Sequence, residues 1–147
     1  MALRARKKLP SDAGICRHRL LIALLSPRDE LHRIATERTA AIAGHRLFTS
    51  EWVLAELLDS FAERGRYPRA VASALVAQIR RNPAISVVSP TTVSFDEAFQ
   101  LYCDRADKRW SFTDCSSFLI MDRFGIAAAL SHDRHFEQAG FRALLRE

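Results

Sequence analysis

Three carboxylates and a hydroxyl are placed so that they could share one divalent cation. Thr113-Asp114 stands where a helix opens, in the run Ser111-Phe-Thr-Asp-Cys-Ser-Ser-Phe-Leu-Ile-Met121. Asp133 follows a short apolar stretch ending near Leu130, within Ser131-His-Asp-Arg-His-Phe136. Glu56 lies inside the apolar run from Trp52 to Phe61, where a buried acid needs a partner or a cation. Clustered carboxylate oxygens suit Mg2+ or Mn2+, ions that activate water and offset charge on a phosphodiester under attack.

Each acid also has a structural use. Asp114 would suit the first turn of a helix through the backbone dipole, Asp133 could open a turn, and Glu56 could pair with an arginine such as Arg64. Thr113 could serve as the helix N-cap. His132 and His135 bracket Asp133, but without H-E-x-x-H a zinc-type site is the weaker reading; flanking the acid or touching phosphate is the stronger. G-x-S-x-G, Walker and G-x-G-x-x-G motifs are absent, which argues against hydrolase-elbow, nucleoside-triphosphate and dinucleotide chemistry.

Strands alternating with helices would position these residues. Ser26-Pro-Arg-Asp29 reads as a helix start, with the helix running to Ala43 and ending at Gly44. A strand is expected at His45–Phe48. The next helix opens at Thr49-Ser-Glu51 and, being apolar nearly all round, should be deeply buried. A third reaches Arg80 before Asn82-Pro83 breaks it. Ile85–Val88 predicts a buried strand. Ser94-Phe-Asp-Glu97 reads as a capping box opening a helix to Cys103, followed by a charged loop to Trp110. A helix over Asp114–Phe124, a strand over Ala127–Leu130 and a last strand within Phe141–Leu145 complete an α/β domain with a mainly parallel sheet. In such a sheet, ligands gather beyond the carboxyl ends of the strands.

The chain has 147 residues, a net charge of +5 and 48% hydrophobic residues, enough for one domain with a real core. Its basic character favours polyanionic partners such as nucleic acid. Of 22 basic residues only Lys7, Lys8 and Lys108 are lysines, and arginine suits bidentate phosphate contacts. Cys16, Cys103 and Cys115 form no C-x-x-C, so neither a zinc ribbon nor a disulfide framework is expected, and a reducing cytoplasm is the natural home. Leu20–Leu25 is too short to span a bilayer, so no membrane partner is expected.

Thr113-Asp114 opening a helix that ends at Gly125-Ile126, followed by Asp133-Arg134-His135-Phe136 after a strand, resembles the C-terminal signature of PIN-domain ribonucleases. This is the fold of many toxins in bacterial toxin–antitoxin pairs. The resemblance covers the chain from about Leu21 onward. It implies a PIN-like three-layer sandwich over residues 14–147 and a metal-dependent ribonuclease using Mg2+ or Mn2+. Glu56, Asp114 and Asp133 would be metal ligands, with Thr113 orienting a metal-bound water or serving only as the N-cap, and Asp107, ahead of Trp110, an auxiliary ligand or only a loop acid. The implied partners are an RNA substrate, a cognate antitoxin protein and a second copy in a homodimer.

The family opens with a strand ending in Asp-Thr or Asp-Ser. Here those positions fall at Arg17 and His18, and residues 1–13, basic and polar, predict disorder with the first strand in question. Codons GGC ATC TGT CGA CAC CGG CTA CTT, one encoding of Gly14–Leu21, contain GTC GAC ACC GGC TAC in another frame. That frame reads Val-Asp-Thr-Gly-Tyr, so a frameshift would account for the departure. Two further readings stay open: an inactive PIN fold that binds RNA or an antitoxin without cleavage, and a basic α/β domain with no metal.

Overall fold

The structure, a computed structural model, describes residues 13–146. The expectation of disorder over residues 1–13 lies outside these, except at Ala13. Among the described residues, five strands form one parallel sheet in the order β3-β2-β1-β4-β5. They are β1 (Ala13–Cys16), β2 (Arg46–Ser50), β3 (Ile85–Val88), β4 (Ala128–Leu130) and β5 (Arg142–Ala143). Seven helices among the described residues cover the two faces: α1 (His18–Leu25), α2 (His32–Ala41), α3 (Glu51–Phe61), α4 (Arg66–Arg81), α5 (Thr92–Asp104), α6 (Phe112–Phe124) and α7 (Arg134–Gln138). The α/β three-layer architecture and the parallel sheet are those expected.

The first strand, in question from the sequence, is present and central. Ala-Gly-Ile-Cys has little intrinsic strand preference; parallel neighbours on both sides impose it, as strand propensity yields to context. Ile15 aligns with Phe48 of β2 on one side and Ala129 of β4 on the other. Alternation then sorts the side chains. Ile15, Phe48 and Ala129 pack with Leu101, Phe118, Met121 and Phe136 of α5, α6 and α7. Cys16 and Leu130 face the opposite way, onto Leu20, Ala23 and Ala35 of α1 and α2. Leu21 and Ile22 of α1 join Val53, Leu54, Leu57 and Phe61 of α3 and Ala72 and Ile79 of α4 in a third cluster.

Several local expectations need correcting. The helix expected from Ser26 starts only at His32, because Asp29 is engaged in a turn. Its side chain accepts from Leu31 N at 2.9 Å and its backbone N donates to Ser26 O at 2.8 Å, local bonding that competes with helix. Helix α3 is half-buried: Ala55 and Leu58 are exposed, since an outer-layer helix hides only one face. Strand β3 is at the sheet edge and only partly buried. Helix α5 is capped by Thr91, with Ser94 as the reciprocal partner of its capping box, so Ser94 lies inside the first turn. Helix α7 has no counterpart among the expected elements; it is short, and Asp133 caps it.

Because Ile15 is fully buried between two sheet neighbours and the α6 layer, its truncation should be costly. Ile15→Ala is expected to destabilise the domain by about 2–5 kcal/mol, read from urea unfolding. A destabilisation under about 1 kcal/mol would mean that β1 is not a core strand.

Candidate functional site

Where β1 ends, the chain turns directly into α1, and Arg17 is the junction residue, extended at φ −109° and ψ 160°. Cys16 O is fixed by the buried Thr49 hydroxyl, which donates to it at 3.1 Å. This aims the Arg17 side chain across the carboxyl edge of the sheet, where it is only 5% exposed. Its Nη2 donates to Asp114 Oδ1 at 2.8 Å and lies 3.5 Å from Glu56 Oε2. Its Nη1 donates to Ser117 Oγ at 3.1 Å and to Thr113 O at 3.4 Å. The guanidinium also lies 5.8 Å from the centre of the Phe136 ring.

Asp114 is buried and is held on every side. Ser111, not Thr113, is the N-cap of α6: Asp114 N donates to Ser111 Oγ and Ser111 N donates to Asp114 Oδ2, both at 3.0 Å. This reciprocal capping box orients the carboxylate before any ligand arrives. His135 Nδ1 lies 2.9 Å from Asp114 Oδ2 and 3.2 Å from Asp133 Oδ2. Asp133 is exposed and its Oδ1 accepts from His135 N at 2.9 Å. Asp114, Asp133 and His135 thus present donor atoms within 4.8 Å of one another.

Glu56 reaches the same site from α3. His18 Nδ1 lies 2.7 Å from its Oε2. Burial alone would raise the Glu56 pKa. The adjacent His18 imidazole and the charge of Arg17 outweigh burial and hold the group below its ordinary value. Arg64, considered as its partner, instead lies over the Phe61 ring at 4.8 Å. Asp107 pairs with Arg105 at 2.8 Å in the loop before α6 and is not in the cluster. Cys16 and Cys115 are buried, their thiols pushed up to about 12 and about 11, mainly by burial, so neither is a nucleophile at neutral pH.

The donors therefore fall into two halves. On the Asp133 side of Asp114, two carboxylates and an imidazole converge. On the Glu56 side, a guanidinium already lies between the carboxylates. One ion shared by Glu56, Asp114 and Asp133 does not fit the chain with Arg17 in this position. The sequence marked Arg17 and His18 as out of pattern and read His135 as flanking Asp133; the approach of His18 to Glu56, of His135 to Asp114 and of Ser117 to Arg17 carried no sequence signal.

The PIN domain family matches residues 20–142. The chain belongs to this family. The matched range begins at residue 20, past Arg17 and His18. Among solved structures, the PIN domain described here is similar to VapC20 of Mycobacterium tuberculosis, a toxin that cleaves the sarcin–ricin loop. The two share 28% identity and a TM-score of 0.76, over 86% of this chain and 95% of that one. No curated protein sequence matches. No helix among the described residues is long and apolar enough to cross a membrane.

The lowered Glu56 pKa gives a pH dependence of known sign. A carboxylate whose folded pKa is depressed contributes stability above its unfolded value, and that contribution is lost as pH falls through the folded value. The stability difference between wild type and Glu56→Gln should be constant above the ordinary value of 4.5 and shrink toward zero below it. Denaturant unfolding across acid pH measures this; a difference that grows on acidification would reverse the assignment.

Proposed function

We propose that this chain is a toxin-type PIN domain that docks RNA along its basic cleft and, with Arg17 in place, does not hydrolyse it. The observation that carries the proposal is the guanidinium between Asp114 and Glu56. A guanidinium offers charge and hydrogen bonds but has no bound water to convert into a nucleophile, which is what a divalent ion would supply. Beside it opens a cleft of about 430 Å³ lined by Arg17, Arg19, Asp133, Arg134 and Arg146 among others. Arginines so placed suit phosphate contacts, which position a nucleic acid without reading its sequence. The similar solved toxin acts on an RNA loop, which supports RNA as the ligand class. A cognate antitoxin protein and a cytoplasmic setting belong to the same proposal.

The alternative, an active Mg2+- or Mn2+-dependent ribonuclease, draws on the convergence of Asp114, Asp133 and His135. In that case Arg17 would have to leave the space between the carboxylates, Asp114, Asp133 and Glu56 would hold the ion and Thr113 would help orient water. Two assays decide. Wild type should bind single-stranded RNA with an affinity that falls as salt rises. Arg134→Ala with Arg146→Ala should reduce the salt slope by about 0.7 for each phosphate that is no longer neutralised. Wild type should leave that RNA intact in Mn2+, whereas Arg17→Asp with His18→Thr should cleave it, and adding Asp114→Ala should abolish cleavage again. Robust metal-dependent cleavage by wild type would favour the active enzyme.

Self-association is proposed through α5. Phe95, Phe99 and Tyr102 recur at i, i+4 and i+7 and are each about half exposed, forming one stripe on the helix. Such a stripe is self-complementary across a two-fold axis. Exposed apolar area on this scale, on the order of 300 Å² for three half-exposed aromatics, would form the core of a standard dimer patch of ~800 Å² per partner. Sedimentation equilibrium should show a dimer that Phe99→Asp converts to monomer; a wild-type monomer at high concentration would sink the idea.

A further inference from the structure

We infer that Arg17 is a resident cation standing in for a divalent ion, so that the domain is complete and indifferent to metal without one. The inference rests on treating Asp114 and Glu56 as the ion-facing acids of this PIN domain, but not on RNA binding.

The partners of Arg17 carry the argument. Nη2 meets carboxylate oxygens of Asp114 and Glu56, and Nη1 meets the Ser117 hydroxyl and the Thr113 carbonyl. All four partners are oxygens, the donor type that a hard cation recruits. Ser117 is fully buried and Asp114 nearly so, so without a cation Asp114 Oδ1 and the Ser117 hydroxyl would lose their charged partner away from bulk water, which the Ser111 amide and His135, both on Oδ2, do not replace. The guanidinium answers that need from within the chain. Its planar fork spans an acid on α6, an acid on α3 and the backbone of α6 at once, and its position is set by β1. An ordinary surface ion pair would do none of this, because solvent would substitute for either partner.

A resident cation makes a prediction that a merely structural ion pair does not: removing it should create a requirement for metal. Thermal melts of wild type, Arg17→Ala and Arg17→Lys would be compared in EDTA and in about 1 mM MnCl2, a concentration at which a site of even moderate affinity is filled. Wild type should melt at the same temperature in both. Arg17→Ala should melt on the order of 10 °C lower in EDTA and recover much of that drop in Mn2+. Adding Asp114→Asn should remove the recovery. Arg17→Lys, which keeps the charge but loses the fork, should fall between and show little response to Mn2+.

Equal stabilisation of wild type and Arg17→Ala by Mn2+ would overturn the inference, as would an Arg17→Ala protein unaffected in either buffer. If Arg17→Ala does not fold, calorimetry on wild type alone is decisive: Mn2+ binding tighter than about 1 mM, which would stabilise at the concentration of the melts, overturns the inference, and weaker binding supports it. Failure of wild type to bind RNA would sink the proposed function and leave these melts unchanged.

Discussion

A guanidinium buried beside two carboxylates is the constraint around which this end of the molecule is organised. Charge taken out of water must be compensated locally, and breaking a buried pair by removing one member typically costs about 3–5 kcal/mol. Arg17 answers Asp114 directly and Glu56 at slightly longer range. These three residues come from the end of β1, from α6 and from α3, elements far apart in sequence. Satisfying one ion group therefore fixes three elements relative to each other. The parallel sheet makes the arrangement available: β1 is central, so a residue at its carboxyl end has helices from both layers within reach.

Neutralising acids and activating water are separable tasks, and the site separates them. A divalent ion does both, since it concentrates positive charge and keeps exchangeable waters. Arginine does only the first: its charge is permanent and delocalised and its donors are fixed in a plane. Imidazoles lie against the same acids, His18 beside Glu56 and His135 beside Asp114 and Asp133. The acids can thus be well partnered while the chemistry they would support is missing. The fold depends on the compensation, and hydrolysis would depend on the water.

Most of the architecture could be read from the chain because its signals are local. Ile85–Val88 is β-branched and bounded by breakers, and it forms a strand over those same residues. Gly125 takes the left-handed conformation, φ 66°, that ends α6, and glycine there is the ordinary helix stop. What escaped depends on distant partners. Ala13–Cys16 becomes a strand only because β2 and β4 pair with it. Residue type alone made Asp29 look like part of a helix start, whereas its turn is set by where its side chain bonds and by an ion pair to Arg19 at 3.3 Å. The acids of the site were recognisable as a set by motif, but their pairing with Arg17, His18 and His135 needed three dimensions.

Asp114 shows why a PIN domain can keep its fold with its opening acid replaced. Its carboxylate belongs to the capping box of α6 as well as to the charge cluster. The cap depends on Ser111 and the first turn of the helix, and on no ion. The cluster depends on whatever positive charge β1 delivers. Arg17 meets Oδ1 while Ser111 meets Oδ2, an oxygen that His135 also approaches, so the cap and Arg17 do not compete for one oxygen and the helix start does not depend on Arg17. An aspartate at the end of β1 would place a third negative charge against Asp114 and Glu56, and that surplus would have to be met by an ion. An arginine there removes the surplus instead. The same backbone thus supports two electrostatic solutions, and the one present here needs nothing from solution to be stable.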